Sequence, residues 1–281
     1  MIPPAFTYDR ASSLPEALRM LAKSGDTKVL AGGHSLLPLM KIRLASPGHL
    51  VDIGRLDELK GYRYAADGSL SIGALTTYAE AIAETRYGWF RDALEGIGDV
   101  AVRNRGTLGG AIAHADPAAD LPAILLAVDG EVVLASAGGT RTVPADRFFH
   151  GPFETACGPD EIVTELRRPP IPEGAGGAYA KLPQPASGYA IVGVAAIVAA
   201  GDGAVGHARI GITGVGDVAY RAREVEDALT GSDGSDAAIA AAAEHAVDGV
   251  NVRSDIHADA EYRAAMAKVY TRRAIHAALG R

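Results

Sequence analysis

Hydrophobic and polar positions near the start of the chain follow a helical pattern. The apolar residues of segment 14–21 recur three or four positions apart, and Ser13 lies three residues before Glu16, which is capping-box spacing. This pattern predicts a helix beginning after Ser13. Apolar runs bounded by turn residues then predict strands at 27–31 and 50–53.

The middle of the chain predicts a second mixed segment. Thr77 is followed by Glu three residues later, which indicates a helix start. Asp116-Pro117 predicts another helix start, because Pro suits the first helical position. Strands are predicted near Tyr62 and at 70–72, 132–135 and 162–166.

The last part of the chain follows a Pro/Gly-rich segment, residues 169–177, which is typical of a linker. Beyond it the pattern predicts three strands and two closing helices, at 178–182, 191–199, 208–215, 236–247 and 259–280. The chain is therefore predicted to be α+β, with strands grouped by lobe. Its predicted units are residues 1–54, 55–175 and 176–281.

Composition narrows the classes of function. The 281 residues carry 27 basic and 34 acidic side chains, a formal net charge of −7, and no basic block, so nucleic acid is not an expected partner. The longest apolar run, residues 190–200, falls well short of the ~20 residues needed to span a bilayer. The first residues lack the pattern of a secretory signal, so we expect a cytoplasmic protein without a transmembrane segment.

Cysteine and histidine usage argues against a metal centre in this chain. Cys157 is the only cysteine, so the chain cannot form an internal disulfide or supply the four thiolates of an iron–sulfur cluster. The eight histidines show no zinc-site spacing. We therefore predict no metal ligands and, since no acid–base or nucleophile motif is present, no catalytic residues.

Two glycine-rich turns are the most informative motifs. Ala31-Gly32-Gly33-His34-Ser35 follows a predicted strand, and a second turn, residues 105–110, contains Thr107 and two adjacent glycines. Glycines let backbone N–H groups converge on an anion, and hydroxyl groups can add donors. Each turn could instead be structural only, but two of them could hold a pyrophosphate from both sides. Neither matches the Rossmann or P-loop fingerprint.

The chain resembles the FAD-binding medium subunit of molybdenum hydroxylases of the carbon monoxide dehydrogenase and xanthine dehydrogenase type. The resemblance rests on AGGHSLLPLMK from Ala31, on TLGG followed by AHADPAAD from Thr107, and on KLPQPASGYAIVGVAA from Lys181. It covers nearly the whole chain. It implies a two-lobed FAD-binding fold of the vanillyl-alcohol oxidase and p-cresol methylhydroxylase type, followed by a smaller C-terminal α+β domain.

The resemblance also implies a set of residues that bind non-covalent FAD. The two turns would surround the pyrophosphate, Lys28 and Val29 would lie beside the adenosine, and Asp120 would bond ribityl or ribose hydroxyls. Lys181 would lie near the isoalloxazine edge, with Tyr189 over one face. The full predicted set is Lys28, Val29, Leu30, Ala31, Gly32, Gly33, His34, Ser35, Leu36, Ile97, Thr107, Leu108, Gly109, Gly110, Ala111, Asp120, Val163, Lys181 and Tyr189.

Several of these residues have an ordinary structural alternative. Asp120 could be a first-turn charge that favours the helix dipole, Lys181 a solvated strand residue, and Tyr189 an ordinary strand aromatic. Arg103 and Arg105 could complement phosphate or be solvated. Two departures from the family pattern bear on the cofactor: Ala111 replaces a Ser or Asn of many relatives, and Ala-Ser-Gly-Tyr, residues 186–189, replaces a Gly-Asp-aromatic sequence.

The function implied by the resemblance is electron relay. A molybdopterin-binding large subunit would oxidise the substrate, and [2Fe–2S] clusters on a small subunit would pass the electrons to the FAD of this chain, in a dimer of heterotrimers. The absence of cysteine near the glycine turns in the sequence predicts non-covalent attachment. A self-sufficient flavin oxidase and a non-catalytic nucleotide-binding protein are the alternative functions.

Overall fold

The computed structural model describes residues 2–23 and 25–281, which form ten α-helices and fourteen β-strands. The helices are α1 (Leu14–Leu21), α2 (Leu36–Lys41), α3 (Tyr78–Glu84), α4 (Gly88–Glu95), α5 (Val100–Arg105), α6 (Leu108–His114), α7 (Asp120–Ala127), α8 (Arg223–Leu229), α9 (Asp236–Ala243) and α10 (Ala260–Ala278). The strands are β1 (Thr7–Arg10), β2 (Thr27–Leu30), β3 (His49–Asp52), β4 (Tyr62–Tyr64), β5 (Leu70–Gly73), β6 (Glu131–Ser136), β7 (Gly139–Pro144), β8 (Phe149–Gly151), β9 (Glu154–Thr155), β10 (Ile162–Arg168), β11 (Gly176–Pro183), β12 (Ala190–Gly201), β13 (Ala204–Thr213) and β14 (Tyr220–Arg221).

The first lobe is a three-stranded parallel sheet with the order β1-β3-β2. The predicted helix α1 begins after Ser13, whose side chain accepts a hydrogen bond from the Glu16 backbone N–H. The apolar face of α1 is buried with β3 and with Leu75 of the next lobe in one core cluster. This packing fixes the end of β2, where the first glycine turn begins.

The second lobe is a five-stranded antiparallel sheet with the order β4-β5-β10-β6-β7. Helices α3, α4, α6 and α7 contribute to the core of this lobe, in which Leu134, Phe148 and Ile112 are completely buried. The predicted capping box at Thr77 and Glu80 is present at the start of α3. Thr77 also forms an isolated β-bridge with Thr107, which places the second glycine turn beside this helix start.

The C-terminal domain is a four-stranded antiparallel sheet with the order β11-β12-β13-β14. Its core lies between this sheet and helices α8 to α10. The predicted start of the last helix is confirmed, because the Asp259 side chain accepts a hydrogen bond from the Tyr262 backbone N–H. A further two-stranded sheet pairs β8 with β9, and the overall fold is the predicted α+β one.

Helix α7 joins the second lobe to the C-terminal sheet. All eight of its residues are buried, including Asp120 in its first turn. A Cβ added to Gly211 of β13 would lie 2.0 Å from the Ala123 carbonyl oxygen, so the helix and strand backbones are in direct contact. The uniformly apolar sequence after Asp120 is explained by burial on both sides.

The predicted helices differ from those of the structure at one start, at one end and in number. Helix α7 begins at Asp120 and not at Asp116-Pro117, because the Asp116 side chain instead accepts a hydrogen bond from the Ala118 N–H and closes a turn. Helices α2, α4, α5, α6 and α8 were not predicted, and the helix predicted at 236–247 is α9, which ends at Ala243. Helix α4 has no side-chain capping bond at Tyr87, so it lacks the usual sequence signal at its start.

Candidate functional site

A large cleft opens between the two N-terminal lobes and reaches the edge of the C-terminal domain. Its volume is about 1090 Å³, slightly above the ~300–1,000 Å³ typical of ligand pockets. Both glycine turns line it, together with the residues that precede α7, the segment 153–163 and residues 187–189. The topology thus brings together segments from all three predicted units.

The two glycine turns are packed against each other. A Cβ at Gly32 would lie 2.0 Å from the Arg105 carbonyl oxygen, and a Cβ at Gly109 would lie 2.4 Å from Ala74 Cβ. Neither position can therefore carry a side chain without moving neighbouring chain. Gly33 has a φ of 76°, which favours glycine. These glycines can allow tight packing and also line a binding site. The close backbone contact that requires glycine forms part of the cleft wall.

The backbone N–H groups of the two turns differ in availability. Those of Gly32, Gly33, His34 and Ser35 donate to no acceptor among residues 2–23 and 25–281. The Ser35 side chain makes no capping bond to α2, so its hydroxyl is also available. Gly32, Gly33 and Ser35 are partly buried and His34 is exposed, and buried N–H groups without a partner are uncommon. The first turn therefore presents a set of donors to the cleft.

In the second turn, four backbone N–H groups donate to acceptors within the chain. The N–H of Leu108 donates to the Thr76 carbonyl and that of Gly109 to the Ala74 carbonyl. The N–H of Gly110 donates to the Thr107 hydroxyl oxygen at 3.1 Å, and that of Ala111 to the Thr107 carbonyl. These groups are used because α6 begins here and its first turn is capped. The second turn forms part of the cleft wall and contributes the Thr107 hydroxyl.

Asp120 is a buried carboxylate with two side-chain partners. The Tyr179 hydroxyl donates to Oδ1 at 2.5 Å, and the Lys181 Nζ donates to Oδ2 at 3.0 Å. Burial raises the pKa of the Asp120 carboxyl, while the ammonium of Lys181 and the hydroxyl of Tyr179 act to lower it. Asp120 is therefore both a first-turn residue of α7 and an oriented acceptor in the cleft wall. Sequence reasoning missed Tyr179, which reaches Asp120 only because β11 pairs with β12 and α7 packs on β12.

Lys181 lies behind Asp120. It is not in the cleft wall, and its side chain is 11% exposed. Its Nζ also donates to the Gly96 carbonyl at 3.2 Å. Arg103 donates to the carbonyls of Ile97 and Gly98, so it holds this turn instead of facing the cleft. The two cations therefore fix the turn that presents Ile97.

Tyr189 stands at the mouth of the cleft with 42% of its surface exposed. Its carbonyl accepts from the Gln184 N–H at 2.7 Å, and the Ser187 hydroxyl accepts from the Tyr189 N–H at 3.3 Å. Phe153, also exposed, has its ring 5.0 Å from that of His114. The aromatic groups at the mouth are thus held by their backbones while their faces stay accessible.

Most of the predicted binding residues lie in the cleft wall. They are Lys28, Val29, Leu30, Ala31, Gly32, Gly33, His34, Ser35, Leu36, Ile97, Thr107, Gly109, Gly110, Ala111, Asp120, Val163 and Tyr189. Leu108 and Lys181 do not line it, and Leu108 is 1% exposed in the core. Sequence reasoning missed His114, Phe153 and Cys157. His114 lies only four residues after Gly110, within the AHADPAAD segment, whereas Phe153 and Cys157 lie far from both turns in sequence and carry no motif.

Cys157 is distant from both glycine turns in sequence, but the loop after β9 brings it into the cleft wall. Burial raises the pKa of its thiol to about 11. A thiol with this pKa is neutral at physiological pH and a weak nucleophile. Its presence therefore gives no support to covalent attachment of a ligand.

The cleft fits the flavin dinucleotide that the resemblance implies. The free N–H groups of the first turn suit a pyrophosphate. Asp120 offers an oriented acceptor for hydroxyl groups, and Ile97, Val163 and Tyr189 supply apolar or aromatic surface. No cluster of three or more His, Cys, Asp or Glu side chains within the described ranges could hold a metal ion. Nor does any helix within the same ranges have the length and hydrophobicity to cross a membrane.

Two families match the chain in succession. The family described as FAD binding domain in molybdopterin dehydrogenase matches residues 4–171. The family described as CO dehydrogenase flavoprotein C-terminal domain matches residues 177–278. Together these matches cover both N-terminal lobes and the C-terminal domain.

Relatives match the chain over its full length. The carbon monoxide dehydrogenase medium chain of Hydrogenophaga pseudoflava is 41% identical, with 100% of this chain and 99% of the relative covered. The glyceraldehyde dehydrogenase medium chain of Sulfolobus acidocaldarius is 38% identical, with 98% of each chain covered. A solved structure of the carbon monoxide dehydrogenase from Hydrogenophaga pseudoflava superimposes with a TM-score of 0.96 at 41% identity, covering 100% of this chain and 99% of that one.

Proposed function

The chain belongs to the family of FAD-binding medium subunits of molybdenum hydroxylases, and we propose that it relays electrons from iron–sulfur clusters on a partner subunit to an external acceptor. The observation that carries this proposal is the cleft itself. It has a set of free N–H donors at one end and an exposed aromatic side chain at its mouth. Oxidation of the substrate is assigned to a partner subunit.

We propose that the first glycine turn binds the FAD pyrophosphate. The N–H groups of Gly32 to Ser35 and the Ser35 hydroxyl would donate to phosphate oxygens, because they have no acceptor within the described ranges. Lys28 lies in the same wall and adds a positive charge on the adenosine side. The second turn would limit the width of the site and contribute the Thr107 hydroxyl.

The remaining proposed contacts orient the rest of the cofactor. Asp120 would accept from ribityl or ribose hydroxyls, since Tyr179 and Lys181 hold its carboxylate in one orientation. Ile97 and Val163 would pack against flat rings, and Tyr189 would cover one face of the isoalloxazine. Lys181 would act on the flavin through Asp120 and the Gly96 turn, because its side chain lies behind the cleft wall.

Bound FAD supplies a centre that can exchange one or two electrons, so it can connect single-electron clusters to a two-electron acceptor. The chain itself would bind and orient the cofactor and limit its contact with water. Neither acid–base catalysis nor a nucleophile is required of it. The neutral Cys157 thiol agrees with our proposal that FAD is bound non-covalently.

We propose that this chain does not determine which substrate the complex oxidises. Relatives named for carbon monoxide and for glyceraldehyde are 41% and 38% identical to it, respectively. Medium chains that serve different substrates thus resemble this chain about equally. We propose a molybdopterin-binding large subunit and a [2Fe–2S] small subunit as partners, in a cytoplasmic dimer of heterotrimers.

Purification of the tagged chain from its native host tests the relay. We expect two further subunits, with molybdenum and iron in the complex and neither metal in the separately produced chain. Native mass measurement gives the stoichiometry. A metal-free homo-oligomer that oxidises a substrate alone would instead indicate a self-sufficient flavin oxidase, and a chain that binds no flavin would indicate a structural or nucleotide-binding protein.

A further inference from the structure

Arg263 is a buried cation outside the cleft. It lies in the first turns of α10 and is 1% exposed. A buried charge is costly unless it is paired and hydrogen-bonded, so the partners of Arg263 indicate its role. Its Nε has no acceptor within the described ranges, and the hydrogen bonds of its side chain are therefore made by its two Nη atoms.

The Arg263 guanidinium joins two segments of the C-terminal sheet. Nη1 donates to the Ile191 carbonyl at 2.7 Å and to the Gly214 carbonyl at 2.6 Å. Nη2 donates to Asp255 Oδ2 at 2.7 Å, and Arg253 donates to the same oxygen. Although partial burial acts to raise the pKa of Asp255, hydrogen bonds from Arg253, the His257 N–H and Arg263 hold this pKa well below its usual range. Asp255 therefore balances the buried charge.

The two carbonyls belong to segments that reach the cleft. Ile191 is two residues after Tyr189, and the N–H of Ala190 between them donates to the Ala118 carbonyl at 3.1 Å. The N–H of Gly214 donates to the Pro117 carbonyl at 2.8 Å. Arg263 thus holds the start of β12 and the end of β13, and both are bonded to the turn that precedes Asp120.

The backbones at this junction are in close contact. Gly214 has a φ of 83°, and a Cβ there would lie 2.6 Å from the Ile191 carbonyl oxygen and 2.7 Å from that of Ala190. Thr213, which is fully buried, adds hydroxyl bonds to the carbonyls of Pro117 and Ala119. With so little space, a change in one segment displaces the other.

We propose that Arg263 is a positioning residue for Tyr189 and for the turn that precedes Asp120. The inference rests on the proposed function for the role of those two residues in FAD binding. Directional bonds to two carbonyl oxygens fix where a backbone lies, whereas an apolar residue could fill the same space without fixing it. The guanidinium therefore sets the geometry of the cleft mouth from the opposite side of the sheet.

The test uses the full chain, without FAD and then with FAD. In Arg263→Met, hydrogen exchange in segment 184–191 should accelerate about tenfold or more, because two bonds to a charged donor are lost, while exchange in β6 stays at the wild-type rate. FAD affinity should fall and the visible circular dichroism of bound flavin should change. Arg263→Lys should largely restore the slow hydrogen exchange and the flavin binding of the wild type. One lysine Nζ can replace Nη1, which alone bonds the carbonyls of Ile191 and Gly214.

Arg253→Met is the matched control, because Arg253 shares Asp255 with Arg263 but donates no side-chain bond to Ile191 or Gly214. It should retain wild-type exchange in segment 184–191 and a wild-type flavin spectrum. Thr213→Val removes the hydroxyl bonds to the carbonyls of Pro117 and Ala119 at the same junction. If Arg263→Met does not fold, Thr213→Val should show the same faster hydrogen exchange in segment 184–191.

Two results together would overturn the positioning role and leave a purely structural one. They are a loss of exchange protection throughout the chain in Arg263→Met and wild-type exchange in segment 184–191 in Thr213→Val. A wild-type flavin spectrum in a folded Arg263→Met would overturn it as well. If the wild-type chain binds no FAD, the proposed function fails. The exchange measurement on the flavin-free chain would still decide whether Arg263 positions the segment.

Discussion

Tyr189 combines an exposed ring with a firmly bonded backbone. Because the residue is 42% exposed, Tyr189→Ala should cost far less than the roughly 3–5 kcal/mol lost when a buried aromatic is truncated. We expect a clear change in the flavin absorption envelope and reduction potential with little change in the free energy of unfolding. Spectroscopy, redox titration and chemical denaturation measure these three quantities.

Phe148 provides the control for that substitution, because it is completely buried in the core of the second lobe. Phe148→Leu should lower the free energy of unfolding by about 1 kcal/mol and leave the flavin spectrum unchanged. The opposite result, a stability loss without a spectral change in Tyr189→Ala, would place Tyr189 away from the cofactor.

His114 makes the stability of the flavin-free chain depend on pH. Burial lowers the pKa of this imidazole in the folded state, with Asp116 acting to raise it. The unfolded chain therefore binds more protons just below the ordinary value of about 6.5, and the free energy of unfolding falls as pH drops through that window. His114→Gln should reduce the pH dependence of the free energy of unfolding by at most ~1.4 kcal/mol per pH unit. Denaturation curves between pH 7 and 5 with the wild-type slope would contradict this prediction.

At the scale of elements, the sequence predicted several helix starts that carry a capping residue and several strands that are continuous apolar runs. The caps at Ser13, Thr77 and Asp259 start helices as predicted, and the apolar runs form strands close to the predicted positions. The predicted helix start at Asp116 was wrong, since bonds from Ala190 and Gly214 hold residues 117–118 in a turn. Such bonds come from distant parts of the chain and leave no local signal.

Arg221 of β14 forms a buried ion pair between elements. Its Nη2 lies 2.5 Å from Glu226 Oε2, with both side chains less than 10% exposed, and its Nη1 donates to Asp129 of the second lobe. Arg221→Leu leaves Glu226 buried without its partner, which should cost about 3–5 kcal/mol. Asp129→Asn removes the charge of a partly exposed side chain that pairs with Arg221 and Arg209, and it should cost about 0–1 kcal/mol per pair.

Asp129 has a φ of 49°, a conformation that Asn also tolerates, so Asn tests the charge without adding backbone strain. Chemical denaturation of the two variants provides the comparison. Equal losses from Arg221→Leu and Asp129→Asn would show that the pair with Glu226 does not dominate this cluster.

For the whole molecule, resemblance predicted the fold and the family, and the geometry refined the candidate site. Most predicted binding residues do line one cleft, because strand ends and turns converge there. The sequence did not reveal that the second turn uses its own N–H groups, or that Tyr179 and Lys181 hold Asp120. The two bonds to Asp120 join residues 59 and 61 positions apart in the chain, and the N–H groups of Leu108 and Gly109 donate to the carbonyls of Thr76 and Ala74. The binding roles of the predicted residues stay predictions.

The flavin content of the purified chain tests the central claim most directly. The chain should be yellow, and acid precipitation should release about one equivalent of free FAD per chain into the supernatant, because the Cys157 thiol is neutral and the first turn binds phosphate through N–H groups. Chromatography of the supernatant identifies the flavin. A folded chain that contains no flavin and does not bind added FAD would contradict the account.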